Sequence, residues 1–455
     1  AREGFEASYA ELCKQTAAAL TELAGWCADS KLYLERDHVL EVVLRFEPAN
    51  EAAHRTLKHT KNREGAWVAP EKKTEPKNYN AALLKDCESK RGELAKVFRE
   101  AGLALLDKSA SDAPADARRK FLDDLLALHP DDAETRQLLG EVRLDSAWVL
   151  NETVAGKEHR AALKERIQKA VAAVARPERI EPDEHETKLG VAWKIALATP
   201  RLRVLSTGSE GEATRVAIQC AAAIEVFRGL TGAETEPASN LTIYLLADAP
   251  SRDAYINSWP GWDDAQRKVL KTWAGTGVPG DIHEARWDAD EARRLDGAVR
   301  HVIGLMTLMN FGYDHQKCAW AWEGLGLYLT RELVGTRYTW YSTAPTSGDA
   351  DSKELLGKLM MTDVNWMNEC LQRAKRNKVP TLAKLSERTI DQFGVNEILT
   401  SYAFAAYLIE GRPEKLGELL RGIASDGSAK AISTALGRDL ADLDRRWTRW
   451  LAERK

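Results

Sequence analysis

The chain has 455 residues, more than one ordinary domain, and is long enough to bury about three-quarters of its unfolded surface without metal or disulfide staples. Hydrophobic residues at 44% and charged residues at 29% exclude wholesale disorder. A net charge of −4, with both signs interleaved, argues against nucleic-acid binding, and no apolar run approaches the ~18 residues that membrane insertion by a helix requires.

Residues 1–175 read as helical throughout, with apolar positions recurring at three and four over Tyr9–Ala28, Asn80–Lys108, Ala115–Leu128 and Lys157–Ala175. A repeat is visible at an offset of 82 residues: Val39–Lys58 lies over Phe121–Gly140, with Leu40/Leu122, Leu44/Leu126, Pro48/Pro130 and Leu57/Leu139 identical. After a one-residue slip, Trp67 matches Trp148. Each copy reads as a helix, a break at proline and a second helix whose first turn holds that proline, where a missing N–H costs nothing. Such helical hairpins resemble tetratricopeptide arrays, which bind partners rather than perform chemistry. Arg55–Lys77, with seven basic and three acidic residues, reads as a solvated linker. Cys13, Cys27, Cys87, Cys220, Cys318 and Cys370 are spread without CxxC spacing, and read as scattered buried thiols.

The proline- and charge-rich stretch 176–200 reads as a linker. Beyond it, Arg201–Thr207 and Asn240–Ala247 have strand patterns, Glu210–Gly229 is an amphipathic helix, and another helix begins near Ser251. Trp259-Pro-Gly-Trp262 reads as a packed turn before a helix start. Gly275-Thr-Gly277-Val-Pro-Gly280 is formally GxGxxG, but helix-like residues precede it and Pro279 interrupts it, so a turn is expected rather than a dinucleotide loop. The expected layout is helical repeats (1–175), a linker (176–200), an α+β domain (201–345) and a helical C-terminal subdomain (346–455).

Asp290–Met309 is an amphipathic helix ending at Asn310-Phe311-Gly312, and Ala319–Leu333 is a second apolar helix whose first half carries one carboxylate, Glu323. This arrangement resembles the gluzincin zinc metallopeptidases, in which an HExxH helix is followed about twenty residues later by a helix supplying a glutamate ligand. A closer similarity is to bacterial proteins with N-terminal helical repeats and a gluzincin-like domain, whose second motif reads W-L-N-E-G-L-A-E-Y. Here Trp320, Glu323, Gly324, Leu325 and Tyr328 agree with it, while Leu327 stands where that motif has its later glutamate. The strand Asn240–Ala247 with Ser251–Ile256, and the closing segment Gly437–Leu451, are also similar to that group.

The resemblance implies a zinc site that the residues do not supply. HExxH sets two histidines on one helix face, beside a glutamate that polarises the metal-bound water. The corresponding pentad is His301-Val302-Ile303-Gly304-Leu305, with Glu323 22 residues after His301, so the base and the second ligand are hydrocarbon. Taking His301 as the second histidine gives Gly297-Ala298-Val299-Arg300-His301, no better. His283 completing a ligand triad in space stays open. Otherwise His301 is a hydrogen-bonded, mostly buried histidine, and Glu323 a carboxylate paired with Arg300 or His301. No catalytic residue, metal or other cofactor is expected.

The leading expectation is a catalytically inactive pseudopeptidase serving as a binding or structural subunit, with a protein partner or a second copy of itself. A metal-dependent hydrolase with a non-standard ligand set is the alternative, and a purely helical scaffold is a third. The chain begins at Ala1 without methionine, from which an exported, periplasmic or cell-envelope protein is expected, with the cytoplasm as the other possibility.

Overall fold

The computed structural model describes residues 2–70, 80–108, 117–237, 241–277, 284–313, 316–337, 350–361, 363–426 and 428–454. It is mainly helical, with a few small sheets, and divides into two units, 1–150 and 151–455.

The 82-residue offset is carried into the first unit. Its elements are α1 (Arg2–Asp29), α2 (Tyr33–Phe46), α3 (Glu51–Thr56), β1 (Thr60–Lys61) and β2 (Trp67–Val68), then α4 (Ala81–Lys108), α5 (Ala117–Leu128), α6 (Ala133–Leu138), β3 (Glu141–Leu144) and β4 (Ala147–Leu150). Each copy is thus long helix, helix, single-turn helix and antiparallel hairpin. The short helices start alike: Asn50 and Asp132 cap α3 and α6, accepting from the amides of Ala53 and Thr135 at 2.9 Å. They end alike too, with Lys58 and Gly140 in the left-handed region at φ 59° and 71°. Leu40, Leu57, Leu122 and Leu139 are all buried in one apolar core. Asp124 of the second copy accepts from Tyr9 (2.7 Å) and Arg45 (2.6 Å) of the first.

Two expectations need correcting here. Pro48 and Pro130 lie in the turns before the cap residues, not in the first helical turn. Their carbonyls act instead: Pro48 O bonds His54 Nε2 and Pro130 O accepts from Arg136 Nε, each at 2.9 Å. Arg55–Lys77 is not simply a linker, since the β1–β2 hairpin lies within it and Trp67 stacks on His54 at 4.4 Å; residues 71–79 fall outside the described ones.

The second unit begins with α7 (Asn151–Ala173), so the boundary falls at Leu150, earlier than the chain's proline-rich stretch suggests. Residues 176–200 supply β5 (Glu178–Arg179), α8 (Glu184–Lys188) and β6 (Ile195–Ala198). The prolines punctuate short elements there rather than mark a linker. Then come β7 (Arg203–Ser206), α9 (Glu210–Thr231), β8 (Thr242–Leu245), α10 (Ala249–Ser258), α11 (Asp264–Leu270), β9 (Gly275–Gly277), β10 (Glu284–Arg286), α12 (Glu291–Phe311) and α13 (Ala319–Val334). The six strands form one mixed sheet in the order β5-β6-β7-β8-β10-β9, with β7, β8 and β10 parallel. All four residues of β8 are buried, as a parallel strand covered on both faces requires. A sheet of this size removes the purely helical scaffold.

Gly275–Gly277 is not a turn but the strand β9, antiparallel to β10, and Lys271–Ala274 before it is not a strand, as a dinucleotide loop would need; residues 278–283 fall outside the described ones. Trp259 and Trp262 pack at 6.0 Å in the turn before α11, whose Asp263 forms a capping box with Gln266. The tail is helical: α14 (Ala350–Leu359), α15 (Trp366–Ala374), α16 (Leu382–Ser386), α17 (Val395–Ala406), a π-helical turn (Tyr407–Gly411), α18 (Pro413–Asp426), α19 (Ser428–Leu436) and α20 (Leu440–Glu453). Among the described residues no helix is long and apolar enough to cross a membrane.

Candidate functional site

Three elements bring the candidate residues together. α12 is capped by Asp290, which accepts from the Ala292 amide at 2.8 Å, and closed by Gly312 at φ 71°. Arg300 and Val302 are both buried, on nearly opposite sides of the helix, while His301 and Leu305 are half-buried. α13 packs beside α12 and brings Glu323, fully buried, to Arg300. Glycines set how closely these helices approach. A Cβ at Gly304 would stand 2.8 Å from Trp322 Nε1, and one at Gly324 would overlap the Ser401 carbonyl of α17. Gly324 of the WxxEGLxxY-like stretch therefore has a packing role.

β10 adds two charges that the sequence reading did not single out as site residues. Glu284 and Arg286 are two apart on one strand, hence on one face, and both are buried. Glu284 Oε2 stands 3.2 Å from His301 Nδ1, and its Oε1 accepts from Arg286 Nη1 at 3.3 Å. Arg286 also reaches Asp288 at 3.0 Å and lies against Gly297 of α12, where a Cβ would meet the guanidinium. The one sequence signal for Glu284 and Arg286 is their alternation with Ala285 and Trp287, a period of two inside a charged stretch.

The sequence named Arg300 and His301 as possible partners of Glu323. The structure joins Glu323 to Arg300 and gives His301 to Glu284. The Arg300 guanidinium also sits 5.9 Å from the Trp322 ring. His301 Nε2 has no hydrogen-bond partner among the described residues. Val302 is fully buried and Leu305 half-buried, and both present hydrocarbon beside His301. His283 lies outside the described residues. Among those described, no three His, Cys, Asp or Glu side chains converge as a metal site.

Tyr328, another residue of the stretch, has a different use. Its hydroxyl donates to Glu410 of the π-helical turn at 2.7 Å, and Glu410 also accepts from Arg160 (2.8 Å) and twice from Arg454 (2.7 Å). Beside it, Glu152 accepts two bonds from Arg446 at 2.6 and 2.7 Å and one from Arg412 at 3.1 Å. Burial pushes the Glu152 carboxyl up, but the arginines outweigh it and hold it below its ordinary value. These networks tie α7, α13, the π-helical turn and the C-terminal helix together. A groove of about 700 Å³, lined by α7, α9 and Thr199–Arg201, contains none of the residues around His301.

A scan against protein-family models and a search of curated proteins both return no match.

Proposed function

We propose that this chain is a catalytically inactive relative of the gluzincin peptidases that works as a binding or structural subunit, with another protein or a second copy as its partner. The observation that carries the reading is the internal neutralisation of the site: Glu323 is bound to Arg300, Glu284 faces His301 and Arg286, and Val302 and Leu305 stand where a base and a ligand would be needed. One imidazole and one occupied carboxylate fall short of the three protein ligands that catalytic zinc normally has. Support for the family likeness comes from the order strand, helix with His301, helix with Glu323. Support for a binding role comes from the duplicated helical unit, which adds surface without adding chemistry.

The alternative, a metal-dependent hydrolase with a non-standard ligand set, is favoured by one observation, the unpartnered His301 Nε2. Peptidase assays on the purified chain in added zinc, together with its mass in solution, separate the two. The proposal expects no turnover above buffer and a dimer or a co-purifying protein. A monomer with peptidase activity that Glu323→Ala abolishes would establish the alternative.

A further inference from the structure

Two buried thiols meet in the first unit. Cys27, in the last turn of α1, and Cys87, in the second turn of α4, are 0% and 1% exposed, and their Sγ atoms lie 3.5 Å apart. The helices that carry them open the two copies of the duplication and pack on each other. Cys13 is 14 residues earlier on the same helix as Cys27, about 21 Å along its axis, and does not compete for it. We propose that Cys27 and Cys87 are an oxidisable pair that closes to an intramolecular disulfide, cross-linking the two copies.

A sulfur separation of 3.5 Å is that of a thiol–thiol hydrogen bond, and a disulfide requires about 2.05 Å, so closure asks for a sulfur shift of about 1.5 Å between helices already in contact. The pair is also electrostatically graded. The hydrogen bond with Cys27 draws the Cys87 thiol below its ordinary value, with help from Arg91 one turn along and against burial and Glu35. The same hydrogen bond, with burial, pushes Cys27 up. Either sulfur can donate in that hydrogen bond, so ionisation belongs to the pair, and the exchange runs equally from Cys87 or, with the two roles reversed, from Cys27.

The oxidant is a low-molecular-weight disulfide, reached through local opening of the helix ends. The Cys87 thiolate attacks one of its sulfurs, breaking the S–S bond, forming a mixed disulfide and releasing one small thiolate. Cys27 then loses its proton to solvent and attacks the Cys87 sulfur, expelling the second small thiolate. Two protein thiols are oxidised to one disulfide while the small disulfide is reduced to two thiols.

The test is to incubate the full chain with oxidised glutathione, unfold and alkylate it, digest without reductant and map the peptides by mass spectrometry. The expected result is a Cys27–Cys87 cross-linked peptide pair with the other four cysteines alkylated, and an unfolding temperature that rises on oxidation of the wild type but not of Cys87→Ser. If Cys87→Ser does not fold, Cys27→Ala takes its place, and the peptide map of the wild type decides independently of either variant. Six alkylated cysteines after oxidation, or glutathione adducts that never resolve to the cross-link, would overturn the proposal.

Discussion

Arg300, midway along α12, supplies the positive charge that the buried Glu323 carboxylate needs as a partner inside the protein. Arginine is 5% exposed there and the glutamate 0%, so neither side of the pair has water to fall back on. Removing one partner should therefore be far worse than removing both. Arg300→Met is expected to cost about 3–5 kcal/mol in urea unfolding, while Arg300→Met with Glu323→Leu recovers most of it, because a buried pair exchanged for hydrocarbon is often close to neutral. If the double variant is as unstable as the single one, the pair is not what places Arg300. This pairing was half legible: a lone carboxylate in an apolar helix announces a need for a cation, and Arg300 and His301 were the two at hand. That His301 instead turns to Glu284 was not, because a strand alongside α12 is a long-range fact that spacing within the helices does not encode.

At the scale of elements, the duplication permits a comparison inside one molecule. His54 and His59 occupy the positions of Arg136 and Glu141, 82 residues on. The second copy closes its short helix with an Arg136–Glu141 ion pair at 2.7 Å, and the first with a His54–His59 hydrogen bond at 2.9 Å. Pro48 O only accepts, so His54 Nε2 carries a proton; with both rings neutral, His54 Nδ1 accepts and His59 Nδ1 donates. Burial, and then His54, lower the His59 value in the fold. A histidine whose value is lowered by folding contributes stability above its unfolded value, and that contribution is lost as pH falls below about 6.5, until the folded form protonates as well. Urea midpoints of the first unit's transition should fall between pH 7 and pH 5, and His59→Gln should flatten part of that fall. An unchanged pH dependence in the variant would place the acid sensitivity elsewhere. The leucines and prolines made the repeat legible, whereas the hairpins β1–β2 and β3–β4 were not, since strands of two to four largely exposed residues show no clean alternation. The sheet was partly legible: β7 and β8 stand out as β-rich apolar runs, but β5, β6, β9 and β10 are too short or too charged to do so.

At the scale of the whole molecule, the two units are each built round their own apolar clusters, one from α1–α6 and another including the aromatic packing of Tyr244, Tyr255, Trp259 and Trp287. Chemical denaturation followed by both circular dichroism and tryptophan fluorescence should show two transitions rather than one cooperative loss, with probes that do not coincide. A single superimposable transition would mean that the units unfold as one. Their boundary was misplaced by the sequence because proline and charge at 176–200 punctuate strands and a short capped helix there, while the actual break at Leu150 falls between a hairpin and a helix with no composition shift to mark it. The central claim, an inert site held by internal charge pairs, is tested most directly by zinc titration calorimetry on the metal-stripped chain beside the Val302→Glu, Leu305→His double variant. An inert site predicts no stoichiometric binding by the wild type, with affinity gained where the variant folds. One zinc per wild-type chain, lost in His301→Ala and in Glu323→Gln, would contradict it and make the protein a metalloenzyme.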